Sequence, residues 1–479
     1  MLYMRLKPWL MAFFVVVNFI FMQALYADNL PDFGDPSQVL LPHAEEQLLG
    51  KEFMRQLRAS GRVVDDPVDA QYINGLGDRL IAAANVNNQS FFFFFMDDPE
   101  INSFAGPGGF IAINSGLMLE TQNESELAAV MAHEIAHVTQ GHLARKLADQ
   151  SHLKFSTLAG LLAAIALGHV NGQAAEGAIA ATMAGGAQSM LNFSRAYEEE
   201  ADRVGIATLA KAGFDPQSMP AFFERISSDE QYNLQPPAIL SNHPSTPERI
   251  ADAENRAAQY PHHADKSSDD YYLIKERLRV QTAEDVHAIL IYYQKTIAAH
   301  QTKNIAALQY GYALAEQANA YYAQAYSGFA ALAKADPNQL LYQLAMADVL
   351  TDENNTADAL TILTPAYDIY PDSYPLMVQY AYTLMKAGQA KKAAAIMDEY
   401  HLDYPKLPVP YALLSDIQAK AGELALAYQS RATYLMQMGA AQAALAQLNV
   451  ALKLPHNDPD TIERIKAQMA EIQAEMQSE

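Results

Sequence analysis

His133, Glu134 and His137 stand in the pattern His-Glu-x-x-His at the end of an apolar run, Leu127-Ala128-Ala129-Val130-Met131-Ala132. On an α-helix, positions four apart lie on one face, so the two imidazoles project together with the carboxylate beside them. Two neutral imidazoles bind zinc and leave room for a third ligand and a water, and a neighbouring carboxylate can take that water's proton as it attacks a carbonyl. The chemistry implied is metal-assisted hydrolysis of a peptide bond. Asn123, with Glu126 three residues later, has the form of a capping box, which starts the helix near residue 124 and puts both histidines in its later turns. The plain alternative is an ordinary helix with incidental histidines, and the rest of the chain decides against it.

A third ligand should come from a second helix. His142 does not serve as the third histidine of a metzincin, because that pattern needs Gly three and His six residues after His137, where this chain has Gln140 and Leu143. Downstream, Ser194-Arg195-Ala196-Tyr197-Glu198-Glu199-Glu200-Ala201-Asp202-Arg203 offers three successive glutamates, which without the upstream motif would read as a solvated acidic face. Glu198 and Asp202 are four apart and share a helix face. Glu198 can then reach the metal while Asp202 accepts a hydrogen bond from a ligand histidine. Residues 45–57 and 69–84 read as helices, and 90–96, 101–105 and 109–114 as short strands around Gly106-Pro107-Gly108-Gly109. A small sheet thus precedes the metal helix, and an edge strand of it would pair with an extended substrate backbone. Between the two ligand helices, the apolar segments 158–167 and 174–190 are too short or too rich in small residues to span a bilayer. We read them as a helical hairpin that covers the cleft or touches a membrane surface or barrel partner, with core packing as an equal alternative.

The second half has a period. Pro337, Pro371 and Pro405 are 34 residues apart, and Ala325, Ala359, Ala393 and Ala427 keep the same register. Phe329, Leu363 and Met397 fill one large apolar position, and Ala347 and Ala381 a small one. This is the tetratricopeptide period: paired antiparallel helices that stack into a superhelix with a concave face. The segments 270–300 and 440–476 read as less regular repeats or caps. Tyrosine is frequent here, and most such side chains should pack between repeats.

The 479 residues are half hydrophobic, carry a net charge of −23 and include no cysteine. Residues 1–27 have a signal-peptide order: Arg5 and Lys7, an apolar stretch from Trp9 to Met22, then Ala24-Leu25-Tyr26-Ala27; an uncleaved anchor is the alternative. Without Arg5 and Lys7, 30 basic residues face 55 acidic ones, a surface that repels nucleic acid and anionic lipid. An exported chain without cysteine suits a Gram-negative periplasm. The expected architecture is mainly α with a small β-sheet: a signal peptide (1–27), a zinc metallopeptidase domain (28–265) and a tetratricopeptide repeat domain (268–479).

The metal helix, the preceding Asn-Ser-Phe-Ala-x-Pro-Gly-Gly segment and Glu198-x-x-Ala201-Asp202 together resemble the gluzincin peptidases related to the CAAX prenyl protease. The resemblance implies one zinc per chain held by His133, His137 and Glu198, with Glu134 as the catalytic acid/base and Asp202 supporting it from behind a ligand. Ser241-Asn242-His243-Pro244-Ser245-Thr246-Pro247 is similar to a loop of that group whose histidine takes the fourth zinc position. His243 is therefore expected as a regulatory fourth ligand, displacing the water that a catalytic zinc keeps. With an export signal in front and repeats behind, the resemblance further implies a periplasmic endopeptidase and chaperone for outer-membrane β-barrel proteins. Its partners would be misfolded or stalled barrel proteins and, through the repeats, the barrel assembly machinery. The alternative is a scaffold that binds clients through its repeats and rarely uses a latched peptidase site.

Overall fold

The run of five phenylalanines solves a problem that a one-sided strand would not have, because the sheet it enters is buried on both faces. The structure is a computed structural model that describes residues 42–86, 89–147, 158, 160, 162–163, 194–230, 237–264, 267–299, 304–400, 408–455 and 458–478. The leader 1–27, the segment 174–190, most of 158–167 and Pro405 lie outside the described residues. Four strands, β1 (Val63–Val64), β2 (Phe92–Met96), β3 (Ser103–Ala105) and β4 (Phe110–Asn114), form one sheet in the order β1-β2-β4-β3. β2 and β4 pair in parallel, with Phe93 opposite Ile111 and Phe95 opposite Ile113, while β1 and β3 flank them antiparallel. Successive strand residues point to opposite faces. Accordingly Phe92, Phe94 and Met96 join one core, and Phe93 and Phe95 join another.

The helices on the two faces differ in what they carry. Helix α1 (His43–Ala59) and the repeats share the first core, while α2 (Pro67–Ala84) and α3 (Glu124–Thr139) share the second. Both α1 and α2 extend beyond the residues the sequence suggested, and Asp66 caps α2 through hydrogen bonds from the Val68 and Asp69 amides. Every residue of α3 from Glu124 to His137 is buried, which explains its all-round apolar sequence. Its start falls where Asn123 predicts: the Asn123 side chain accepts from the Glu126 amide at 2.9 Å. The reciprocal arm is displaced by one residue, with the Glu126 carboxylate accepting from the Gln122 amide at 2.8 Å.

Beyond α3 come α4 (His142–Leu147), α5 (Arg195–Lys211), α6 (Ala238–Asn242), α7 (Pro247–Ala257) and α8 (Asp269–Gln281). α5 crosses α3 at Gly205, where an added Cβ would stand 3.2 Å from the His133 backbone nitrogen. That close approach brings the Glu198-Ala201-Asp202 face of α5 against the histidine face of α3.

The repeat period is realised as antiparallel helices, among them α9 (Tyr322–Ala335), α10 (Leu340–Asp352), α11 (Thr356–Ile369), α12 (Tyr374–Lys386) and α13 (Ala390–Tyr400). Ala325, Ala359 and Ala393 are fully buried, as are Ala347 and Ala381, and Phe329, Leu363 and Met397 beside them. Tyr310, Tyr342 and Tyr380 are buried packing residues, whereas Tyr321 is exposed. The repeats also pack directly on the peptidase half: α8 supplies Tyr271, Ile274 and Leu278 to the core around α3 and Leu273 to the repeat core. Arg277 of α8 pairs with Asp66 at 2.6 Å, and the Tyr374 amide donates to Gln71 Oε1 at 2.9 Å.

Candidate metal centre

His133 and His137 face α5 with their Nε2 atoms 2.9 Å apart. Glu198 meets both, at 3.4 Å from each Nε2. From the Pro-rich segment after α6, His243 Nδ1 closes the group at 3.3 Å from His133 Nε2 and 3.0 Å from Glu198 Oε1. These four buried residues form a metal-compatible cluster, one donor atom from each lying within 4.8 Å of the others. A tetrahedron of ligands about 2.0–2.1 Å from zinc has edges of roughly 3.3 Å. The donor set and its spacings therefore fit a small tetrahedral cation.

The electrostatics favour a cation too. Burial pulls His133 down, but the neighbouring Asp202 and Glu198 carboxylates outweigh it and carry the imidazole up to about 9. His137, equally buried and beside that charge, is held well below the ordinary imidazole range. Burial alone would raise Glu198, yet His243 and His133 hold its carboxyl well below the usual carboxylate range. Positive charge at this point is stabilised by ionised carboxylates in a dry setting.

Glu134 lies on the same helix, wholly buried. Its Oε1 accepts from the Ser103 hydroxyl at 2.7 Å and stands 3.6 Å from His243 Nε2. Its Oε2 has no hydrogen-bond partner among the described residues. A buried carboxylate oxygen without a partner costs free energy unless something polar comes to it, and a water beside the cluster would fill that role.

Behind the donors stand groups of two kinds. His133 Nδ1 lies 2.9 Å from Asp202 Oδ1, not aligned as a regular hydrogen bond. Asp202 in turn accepts two bonds from Arg249, at 2.5 and 2.8 Å. Arg249 also touches Glu198 at 2.7 Å and the Pro244 carbonyl at 3.1 Å, with its guanidinium over the Phe223 ring. Behind His137 stands His142, Nδ1 to Nδ1 at 2.8 Å.

The six residues singled out from sequence, His133, Glu134, His137, Glu198, Asp202 and His243, thus come together. Glu199 and Glu200 do not join the donors: Glu199 pairs outward with Arg195 and Glu200 with His142 and Arg145. Sequence reasoning left Ser103, His142 and Arg249 without roles. Ser103 lay inside the strand segment already quoted, and Arg249 six residues after His243. His142, which does not fit the metzincin spacing, lies outside the donor group and against the ring of His137.

Residues 67–257 match the model of Peptidase family M48, and residues 350–417 match a tetratricopeptide repeat model. Over 374 residues the chain is 37% identical to the β-barrel assembly-enhancing protease of Escherichia coli (strain K12), covering 78% of this chain and 77% of that one. The chain belongs to the β-barrel assembly-enhancing protease family. A putative β-barrel assembly-enhancing protease of Vibrio cholerae is 38% identical over 398 residues, 83% of this chain and 82% of the other. More distantly, the mitochondrial metalloendopeptidase OMA1 of Schizosaccharomyces pombe is 31% identical over 183 residues, 38% of this chain and 51% of its own. The family assignment makes the α3–α5 unit a metallopeptidase domain with tetratricopeptide repeats behind it. No described helix is long and apolar enough to cross a membrane.

Proposed function

We propose that this protein is a periplasmic zinc endopeptidase acting in the assembly and quality control of outer-membrane β-barrel proteins. The observation that carries the reading is the convergence of His133, His137 and Glu198 beside a buried, half-partnered Glu134. Zinc held there would polarise a peptide carbonyl and make a bound water acidic. Glu134, with one oxygen fixed by the Ser103 hydroxyl and the other unpartnered among the described residues, would accept a proton there and pass it to the leaving amine. Asp202, held by Arg249, keeps His133 oriented.

β3 is a sheet edge, and its Ser103 touches Glu134, so an extended client segment paired there would run past the reacting centre. That approach is guarded. The Ile239 amide donates to the Ile101 carbonyl at 3.1 Å and Asn242 Nδ2 to Asn102 Oδ1 at 3.3 Å, tying α6 to the chain that enters β3. His243 follows directly and supplies the fourth donor. Withdrawing this one segment frees both the water position and the strand edge, so it acts as a latch. The repeats bind the client or the assembly machinery and raise its local concentration at the latch. The residue ranges 1–27, 28–265 and 268–479 serve as leader, peptidase and repeat domain.

The position of His243 also favours a second reading, a chaperone or scaffold whose peptidase is seldom open. Purified wild type and Glu134→Gln separate the two. The protease reading expects one zinc per chain in both proteins and cleavage of an unfolded barrel protein by wild type alone. If Glu134→Gln rescues an envelope defect as well as wild type does, the scaffold reading replaces it.

A further inference from the structure

The two histidines of α3 are supported in different ways: behind His133 Nδ1 stands the Asp202 carboxylate, and behind His137 Nδ1 the imidazole of His142. After His137 the helix ends at Gln140, and Gly141, at φ 63°, turns the chain in a left-handed conformation that an L side chain would adopt only with strain. The turn starts α4 at once, so His142, fully buried, folds back against the ring of His137. The Nδ1 atoms of the two rings are 2.8 Å apart, and His142 Nε2 is 3.1 Å from Glu200 Oε2.

Only one proton arrangement satisfies this geometry with His137 Nε2 left as a lone-pair donor to the cluster. His137 carries its proton on Nδ1 and donates to His142 Nδ1; His142 carries its own on Nε2 and donates to Glu200. The His142 ring is fixed in place on its other side as well. It stacks on Tyr197, centroids 4.6 Å apart and planes at 14°, and Arg145 covers the Tyr197 ring while also pairing with Glu200 at 3.2 Å. Tyr197 and Glu200 flank Glu198 on α5, so His142 ties the helix of one donor pair to the helix of the third donor.

We propose that His142 is a positioning residue for the metal centre, accepting the Nδ1 proton of His137 and passing the bond to Glu200, so that His137 is held as the tautomer whose Nε2 binds metal. The inference rests on the zinc reading above. An imidazole in this role is a neutral acceptor, unlike the ionised Asp202 behind His133, and it spans both helices where a carboxylate on α4 would end at the first.

The test measures zinc affinity of the purified full chain by competition with a chelator, together with the visible spectrum of the cobalt-substituted protein. His142→Phe keeps the ring stacked on Tyr197 but cannot accept; it should weaken zinc binding about 10- to 100-fold and alter the cobalt bands. His142→Asn restores an acceptor near the Nδ1 position and should bind within about threefold of wild type, with a wild-type cobalt spectrum. Equal affinity of His142→Phe and wild type, or equal weakening by Phe and Asn, would overturn the proposal. Should the Phe ring prevent folding, Glu200→Ala at its partly exposed position must still weaken zinc a few-fold, and unchanged affinity there overturns it too. His137→Ala is the control: if wild type binds zinc no better than it does, the metal reading fails, and the inference falls with it.

Discussion

The peptidase half and the repeat half of this chain bury opposite things. Around α3 and α5 the interior holds His133, Glu134, His137, His142, Glu198, Asp202, His243 and Arg249, all nearly or fully removed from solvent. In the stack from α9 to α13 the matching interior positions are alanines at the close contacts and Phe329, Leu363 or Met397 between them. Buried polar groups are tolerated when every one finds a partner, and they hold a specific geometry at the expense of stability. Apolar repeats do the reverse, adding stability one interface at a time without demanding a single geometry. Substitutions should therefore separate: in the first half they remove chemistry and spare the fold, and in the second they weaken the fold and spare the chemistry.

Glu198→Ala should show the largest effect. It removes one donor, so zinc affinity and cleavage should fall by roughly 10³-fold or more. The fold should hold, because Arg249 keeps both bonds to Asp202. Metal content, cleavage and a thermal melt of one sample check all three. A collapse of the melt would show that the cluster is structural and would break the contrast at its strongest point.

Arg277→Ala tests the seam where the halves meet. Arg277 lies 2.6 Å from Asp66 and 3.7 Å from Asp69, and burial with the Asp66 charge beside it raises the buried Asp69 well above the ordinary carboxylate range. Without the guanidinium the buried Asp69 faces the partly exposed Asp66 with no cation between them, a loss of about 3 kcal/mol. The urea midpoint should drop while zinc affinity stays at the wild-type value. Parallel loss of zinc would mean that the seam transmits strain to α3 and that the halves are one cooperative unit.

Ala381→Leu probes the packing of the repeat stack. Ala381 of α12 is fully buried in the first core, and extra methylenes there should cost about 2 kcal/mol through overpacking. Denaturation should report the loss, and the initial rate of cleavage of a short peptide that does not need the repeats should not change.

How much of this was readable from sequence follows the same division. The donors of α3 were legible because a helix fixes the relation between His133, Glu134 and His137 without help from the rest of the fold. Glu198 was separable from Glu199 and Glu200 for the same reason, through its spacing to Asp202. Period 34 gave the repeat register, and the structure buries each in-register alanine. The residues that sequence left silent act across elements: Ser103 from a strand, Arg249 from α7 and His142 from beyond a left-handed turn reach their partners only once the chain is folded. The seam was illegible for a further reason. Two separately periodic segments do not announce that they share a core, yet Leu344, Tyr374 and Met377 pack in the same cluster as Phe53, Phe92 and Phe94.

The smallest predicted effect bears on how the halves communicate. His243→Ala removes the fourth donor but leaves His133, His137 and Glu198, so zinc should remain bound and its fourth position pass to water. Cleavage should then rise about tenfold, corresponding to about 1.4 kcal/mol of latch stability, because His243 is held by side-chain contacts such as those to Glu198 and Glu134 and follows a short helix. Zinc retained with cleavage unchanged or lower would remove the latch. The variant also isolates the contribution of the repeats. If a client bound to the repeats works by withdrawing the α6 segment, adding it should stimulate wild type and leave His243→Ala where it is, since the latch is already gone. Equal stimulation of both would assign the repeats to client concentration alone, and the two halves would then act in sequence without being coupled.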